Sequence, residues 1–170
     1  MTDTPSTPAP AADWERRNAD LWATLGTRPD EDFRAAMEEL AGELPEGDGT
    51  ALFERGAAWD STGHPDRAVP LYRAALDAGV GGERRRRSVI QMASSLRNLG
   101  RPEESVALLT EERERTSDHL DDAVVVVLAL ALTDVGRARE AVSLTVAALA
   151  PHLPRYQRSM AAYARLLLED

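Results

Sequence analysis

The chain has 170 residues, which is enough for one domain with a substantial core, and the absence of cysteine excludes disulfide bonds and thiolate metal sites. The formal net charge is −9, and all twenty basic residues are arginine. An acidic chain without a sustained basic face is a poor candidate for nucleic-acid binding. The longest apolar run, Ala123 to Leu132, is too short for a bilayer, which takes about 20 residues. We therefore expect a cytoplasmic protein with no nucleic-acid or membrane partner and no cofactor.

Two segments precede the regular part of the chain. Residues 1–12 consist largely of Thr, Pro, Ser and Ala, which predicts a disordered tail that is not a secretory signal. Residues 13–48 indicate two amphipathic helices, for which Asp13 and Asp30 are the predicted N-caps. Their apolar residues recur at helical spacing: Trp14, Leu21, Trp22, Phe33, Met37 and Leu40. We favour a helical hairpin packed on the rest of the chain, with a separate arm as the alternative.

From about residue 50 the chain repeats itself. The segments WDSTGHPDRAV, LRNLGRPEESV and LTDVGRAREAV each contain a glycine between two helical stretches. These glycines, Gly63, Gly100 and Gly136, are 37 and 36 residues apart. We predict that each glycine supplies the left-handed turn that ends one helix. Pro65 and Pro102 follow two residues later, where the first turn of the next helix tolerates proline.

The residues around these glycines resemble the tetratricopeptide-repeat (TPR) family. The family pattern has small and large apolar residues seven and four positions before the glycine, then small, aromatic and small residues five, nine and twelve positions after it. The first unit matches throughout, with Gly56, Trp59, Ala68, Tyr72 and Ala75. The later units depart from the pattern at Glu112, where a small residue is expected, and at Thr145, where an aromatic is expected.

The resemblance implies an all-α fold over residues 49–170. The expected architecture is a right-handed superhelical stack of about three helix-turn-helix units, with the extra N-terminal helices at one end and a C-terminal capping helix at the other. FERGAAWDSTG, VPLYRAALDAGV and QMASSLRNLGR are also similar to stand-alone bacterial TPR proteins whose biochemical role is uncharacterised. Met160, Tyr163, Ala164 and Leu167 fit the first helix of a fourth unit, which would be the capping helix.

The resemblance also implies that the protein binds an unidentified protein or peptide on its concave face. The candidate inward residues are Phe53, Asp60, Arg87, Gln91, Ser94, Arg97, Asn98, Leu130 and Thr133. Four of them form a stripe along one helix face: Arg87, Gln91, Ser94 and Asn98. Such a stripe is either a peptide-binding surface or a solvated helix face. A clamp for a chaperone tail is not expected, because the sequence has no lysine and Phe53 and Ala57 occupy two clamp positions.

Two further segments have more than one interpretation. Arg84–Arg87 is either a helix start paired with the acidic N-terminal segment or a docking point for an acidic partner. Ala123–Leu132 is apolar on all sides, which favours a central core helix. Its alternatives are contacts with an apolar peptide, with the N-terminal helices or with a second copy in a homodimer.

No residue pattern in the chain indicates catalysis. His64, His119 and His152 are far apart in sequence and have no metal-ligand spacing. Neither a nucleophile-elbow motif nor a phosphate-binding glycine loop is present. We therefore predict a protein-binding module that is not an enzyme and binds no metal. The remaining alternative is a groove that binds a small molecule or acts as an enzyme.

Overall fold

The structure, a computed structural model, describes residues 10–115 and 117–169. This part of the chain is helical throughout and contains no strand. The helices are α1 (Pro10–Trp22), α2 (Asp30–Ala41), α3 (Gly49–Ser61), α4 (Pro65–Asp77), α5 (Gly82–Asn98), α6 (Pro102–Arg115), α7 (Asp121–Asp134), α8 (Ala138–Leu149) and α9 (Gln157–Leu166), with a 3-10 turn at Ala150–His152. The predicted all-α fold is confirmed.

The turn that ends the first helix of each unit is left-handed, as the repeated glycines predict. Gly63, Gly100 and Gly136 have φ angles of 82°, 74° and 80°, which cost little without a Cβ atom. The amide after each glycine donates to a carbonyl five residues back: His64 to Trp59, Arg101 to Leu96 and Arg137 to Leu132. These bonds satisfy carbonyls that the helix end would otherwise leave unpaired.

Three helix pairs form the stack, namely α3–α4, α5–α6 and α7–α8. The first helix of each following pair packs on both helices of the pair before it, so α5 covers α3 and α4, and α7 covers α5 and α6. Gly56 lies where α3 and α4 cross, and a Cβ atom there would be 3.1 Å from the Tyr72 ring. The small residues of the repeat therefore permit close helix packing.

The N-terminal helices are attached to the stack. Phe33 and Met37 of α2 are fully buried in one cluster with Ala58 of α3. The indole Nε1 of Trp14 in α1 donates to the carbonyl of Leu40 in α2 at 2.9 Å. These contacts join α1 to α2 and α2 to α3.

Both N-terminal helices begin differently from the prediction. Because α1 begins at Pro10, the last three residues of the predicted tail are helical, and residues 1–9 lie outside the described residues. Asp13 is within the first turn, where it pairs with Arg16 and Arg17, and it is not the N-cap. Asp30 is the first residue of α2, and Pro29 is the N-cap. Proline at the start of α1 has no amide to satisfy, so the helix extends further than the acidic cap signal suggests.

The C-terminal capping helix, α9, packs on one side of α8. The hydroxyl of Ser143 donates to the carbonyl of Ala164 at 2.6 Å, and the Nε of Arg139 donates to that of Leu167 at 3.1 Å. The positions equivalent to Ser143 in α4 and α6 are Pro70 and Ala107, which are both exposed. Within the described residues α9 makes no close approach to α7. It therefore lies on the outer side of α8 and leaves the stacking surface of α7 uncovered.

Candidate partner-binding site

Arg84, the first residue of the arginine cluster, connects α5 to two earlier helices. Its guanidinium donates to both carboxylate oxygens of Glu15 in α1, at 2.8 and 2.6 Å, and to Glu54 in α3 at 2.8 Å. Glu54 is buried and also accepts bonds from Asn18 and Trp22 of α1, at 3.0 and 2.7 Å. Burial acts to lower the pKa of Arg84, but the hydrogen bonds that it donates to Glu15 and Glu54 outweigh this effect and raise the pKa. The interpretation that the cluster pairs with the acidic N-terminal segment is correct for Arg84.

The next two arginines connect α5 to α6 and to the beginning of the third unit. Arg85 contacts Glu112 of α6 at 2.5 Å. Arg86, whose side chain is only 3% exposed, contacts Asp118 at 2.9 Å and Asp121 at 2.7 Å. Glu112 stands where the family pattern has a small residue. Its carboxylate is buried and pairs with Arg85 and Arg86 of α5, which accounts for the departure. These cations already have acidic partners within the chain, which argues against a docking point for an acidic protein.

Of the predicted inward residues of the first unit, Phe53 is buried and Asp60 is half-buried. Phe53 is fully buried in the core, and the guanidinium of Arg87 lies 5.1 Å from the centre of its ring. Asp60 accepts a hydrogen bond from the hydroxyl of Ser95 at 2.6 Å and another from Tyr72 at 3.2 Å. Burial raises the pKa of Asp60, while these two hydrogen bonds act in the opposite direction. Both residues contribute to the stack, because α5 covers this part of α3.

The inward residues of α5 remain accessible in part. Arg87, Gln91, Ser94 and Asn98, here called the polar stripe, change from half-buried to exposed along the helix. The side-chain oxygen Oε1 of Gln91 is buried without a hydrogen-bond partner. Arg97, beside the stripe, pairs with Asp134 of α7 at 2.5 Å. The stripe therefore offers amide and hydroxyl groups but only one arginine, Arg87, which is already placed over Phe53.

An open apolar groove lies between α7 and α8 and has a volume of about 330 Å³. It is lined by Val126, Ala129, Leu130, Thr133, Ala141, Val142, Thr145 and Val146, here called the C-terminal groove. Val126, Leu130 and Val142 are 47%, 46% and 51% exposed. The expectation that α7 is covered on all sides is therefore wrong. Its other face is buried, but this one is open because α9 lies elsewhere.

The C-terminal groove is the surface on which another unit would stack. Equivalent positions of the first and third units are 73 residues apart, as Gly63 and Gly136 are. The first-unit equivalents of Val126, Leu130, Val142 and Thr145 are therefore Phe53, Ala57, Val69 and Tyr72. Those four residues of the first unit are buried in one core cluster with Met92 and Leu96 of α5. Ile90 and Leu109 of the second unit are covered in the same way by Leu128 and Leu132 of α7. The third unit has the same surface, and no helix of the part of the chain that the structure describes lies on it.

Leu130 and Thr133 are the only two predicted site residues in this groove. Sequence reasoning missed its α8 half, which includes Val142, Thr145 and Val146. The sequence did indicate this half of the groove at one position, because Thr145 replaces the aromatic residue that the first unit has there.

Stacked helix pairs with left-handed glycine turns define a helical-repeat protein, a class whose extended surfaces bind other proteins. The family model of the tetratrico peptide repeat matches residues 49–167, and the chain belongs to this family. No curated protein and no solved structure matches the chain.

No helix in the described ranges is both long and apolar enough to cross a membrane. Residues 10–115 and 117–169 also contain no group of three or more His, Asp or Glu side chains that could hold a metal ion.

Proposed function

We propose that the protein is a protein-binding module that holds an apolar helix of a partner protein in the C-terminal groove. The observation that carries this proposal is the exposure of Val126, Leu130 and Val142, whose equivalents in the first unit, Phe53, Ala57 and Val69, are buried against α5. Burying such aliphatic side chains contributes about 1.5–3 kcal/mol each when burial is complete. The groove therefore offers a hydrophobic anchor of the kind that helix-in-groove recognition uses.

The polar stripe supports this function as a second contact. The stripe lies on α5, the first helix of the second unit. Leu130 and Thr133 of the groove lie on α7, the first helix of the third unit, so the two surfaces are on neighbouring first helices. A ligand extending from the groove along these first helices would meet Asn98, Ser94 and Gln91. The side chains of Asn98 and Ser94 carry amide and hydroxyl groups that can bond to the backbone of such a ligand. Phe53 and Asp60 support the surface from within the core.

Affinity capture from an extract of the source organism tests the proposal with the wild type and three variants. The groove variant is Leu130→Glu/Val142→Glu, the stripe variant is Gln91→Ala/Asn98→Ala, and the control is Leu99→Glu at an exposed leucine outside the groove. The expected result is a specific protein that the wild type and the control retain and the groove variant loses. The stripe variant should retain less of it. Equal capture by all four proteins, each folded by circular dichroism, would show that the groove is not the binding surface.

A further inference from the structure

Exposed apolar side chains are concentrated at the C-terminal end of the stack. Among the residues that the structure describes, ten large hydrophobic side chains are exposed, and all but Leu25 and Leu99 lie in the C-terminal part of the chain. These eight are Val126, Leu130, Val142, Leu149, Tyr156, Tyr163, Leu166 and Leu168. Residues 121–169 carry five acids and five arginines, so this end is neutral although the whole chain has a net charge of −9. Two copies could meet here without net electrostatic repulsion.

The sequence of α9 matches that of the helices that fill the equivalent grooves. Met92 of α5 and Leu128 of α7 each lie eight residues before a turn glycine and pack on the preceding unit. Each is followed by a small residue and, three residues after that, by a leucine. The segment Tyr163-Ala164-Arg165-Leu166-Leu167 has the same order of large, small and large residues. Leu167, at the leucine position of this match, is half-buried. Tyr163 and Leu166, which are neighbours one turn apart on α9, are 57% and 54% exposed and are therefore the side chains available to a second molecule.

The shape of the groove suits an aromatic side chain. Thr145 stands where the first unit has Tyr72 and the second has Leu109, both of which are fully buried. The smaller threonine, which lines the groove, fills less of it than tyrosine or leucine would. Because packed interiors leave few voids larger than a water molecule, a large ring is the complement of this site.

Helix α9 does not fill the groove of its own molecule. The buried hydrogen bond from Ser143 to Ala164 holds α9 on the outer side of α8. The other first helices are already in use, because α2 covers α3, while α5 and α7 are stacked within the chain. A second copy therefore offers α9 as its available helix with the required residues.

We propose, building on the function proposed above, that the occupant of the C-terminal groove is α9 of a second copy of this chain. Tyr163 and Leu166 of each copy enter the groove of the other, beside Leu130, Val142 and Thr145. The groove and the exposed side of α9 both belong to one end of the chain, so a two-fold axis repeats the contact and closes the dimer.

Cysteine cross-linking tests this contact directly, because the chain has no native cysteine. A Leu130→Cys protein is mixed with a Tyr163→Cys protein and oxidised. The expected product is a mixed disulfide dimer, and a mixture of Leu99→Cys with Tyr163→Cys is expected to form little of it. Light scattering should give a mass near twice 18.5 kDa that decreases on dilution. Tyr163→Glu should lower the dimer population at least tenfold while circular dichroism is unchanged.

A monomeric mass at every concentration, without the mixed disulfide, would overturn the dimer. An intramolecular disulfide in a monomeric Leu130→Cys/Tyr163→Cys protein would also overturn it, because α9 would then fill its own groove. A labelled peptide of residues 84–98, which copies the helix that covers the first unit, separates this failure from failure of the proposed function. If a monomer binds the peptide and Leu130→Glu abolishes binding, the groove takes helices of other proteins and only the second copy is wrong. If the monomer does not bind it either, both proposals fail.

Discussion

At the residue scale, Asp60 is a carboxylate that links three helices. It lies in α3 and accepts hydrogen bonds from Tyr72 of α4 and Ser95 of α5. Because burial raises its pKa, the folded protein binds a proton at Asp60 more readily than the unfolded chain does. The charged form therefore costs stability at neutral pH, and this cost is relieved as the pH falls through the folded-state pKa.

Asp60→Asn should remove this pH dependence, since the amide has a similar shape and does not titrate. We expect the free energy of unfolding of the wild type, relative to the variant, to increase as the pH falls from 7 towards 4. Urea unfolding of both proteins across this range measures the difference, in which the other titrating groups largely cancel. A difference that does not change with pH would show that Asp60 titrates alike in both states.

A second prediction at this scale concerns Glu112. The family pattern has a small residue here, so Glu112→Ala would be judged harmless from the sequence. In the structure the same change leaves Arg85 without its carboxylate partner and removes one of the three carboxylates around the buried Arg86, which keeps Asp118 and Asp121. We expect a loss of about 3 kcal/mol, because removing one partner of a buried ion pair leaves an uncompensated charge.

Urea unfolding of Glu112→Ala, with Glu111→Ala as the matched control, measures this effect. Glu111 is the adjacent exposed residue, and its pair with Arg115 lies on the surface, so its removal should change stability by less than about 1 kcal/mol. Equal effects at the two positions would mean that the Glu112 pairs contribute no more than a surface contact.

At the element scale, α1 is held on the stack by polar contacts to Glu54. Glu54→Ala removes the acceptor for Asn18, Trp22 and Arg84. We expect α1 to detach while α3–α8 stay folded. Trypsin should then cut first after Arg16 and Arg17, and the total tryptophan emission should shift to longer wavelength as Trp14 and Trp22 become exposed. Bonds to a charged acceptor contribute about 1.5–3 kcal/mol each, so the loss should be readily measured by limited proteolysis.

Glu38→Ala is the control for that experiment. Glu38 also accepts a bond from α3, through Arg55, but its side chain is 64% exposed. It should leave the cleavage rate after Arg16 close to that of the wild type. Rapid cleavage in Glu38→Ala, or none in Glu54→Ala, would assign the attachment of α1 to other contacts, such as Trp14 on Leu40.

The elements differ in how far the sequence predicts them. The turns at Gly63, Gly100 and Gly136 were predicted correctly because a left-handed glycine is a local signal. The open face of α7 was not predicted, since a helix that is apolar on all sides carries no periodicity to mark an exposed side. The buried Arg86 and Glu112 belong to separate helices, and their pairing depends on how the helices stack. Sequence spacing therefore located the turns but not the polar core.

At the scale of the whole molecule, the stack is built from contacts between neighbours. Helices α5 and α7 each have a preceding pair beneath them, and α5 also has α7 above it. In such an architecture stability is roughly a sum over units and their interfaces, so an uncovered end is weaker than the middle. The N-terminal end is covered by α1 and α2 through buried aromatic and ionic contacts. Among the described residues, the C-terminal end of the stack is in contact with α9, which packs on α8 and makes no close approach to α7.

This difference predicts a gradient of local stability along the chain. In hydrogen exchange at a concentration where the protein is monomeric, we expect the amides of α9 to exchange fastest and those of α4, α5 and α6 slowest, because local opening follows the number of covered faces. Ser143→Ala, which removes the buried bond to Ala164, should speed exchange in α9 by roughly fivefold for a loss of about 1 kcal/mol and leave α4 unchanged. Ser61→Ala, at an exposed position, is the control and should change neither helix. Protection of α9 equal to that of α5 would contradict the gradient, because it would require this end of the stack to be covered as completely as the middle.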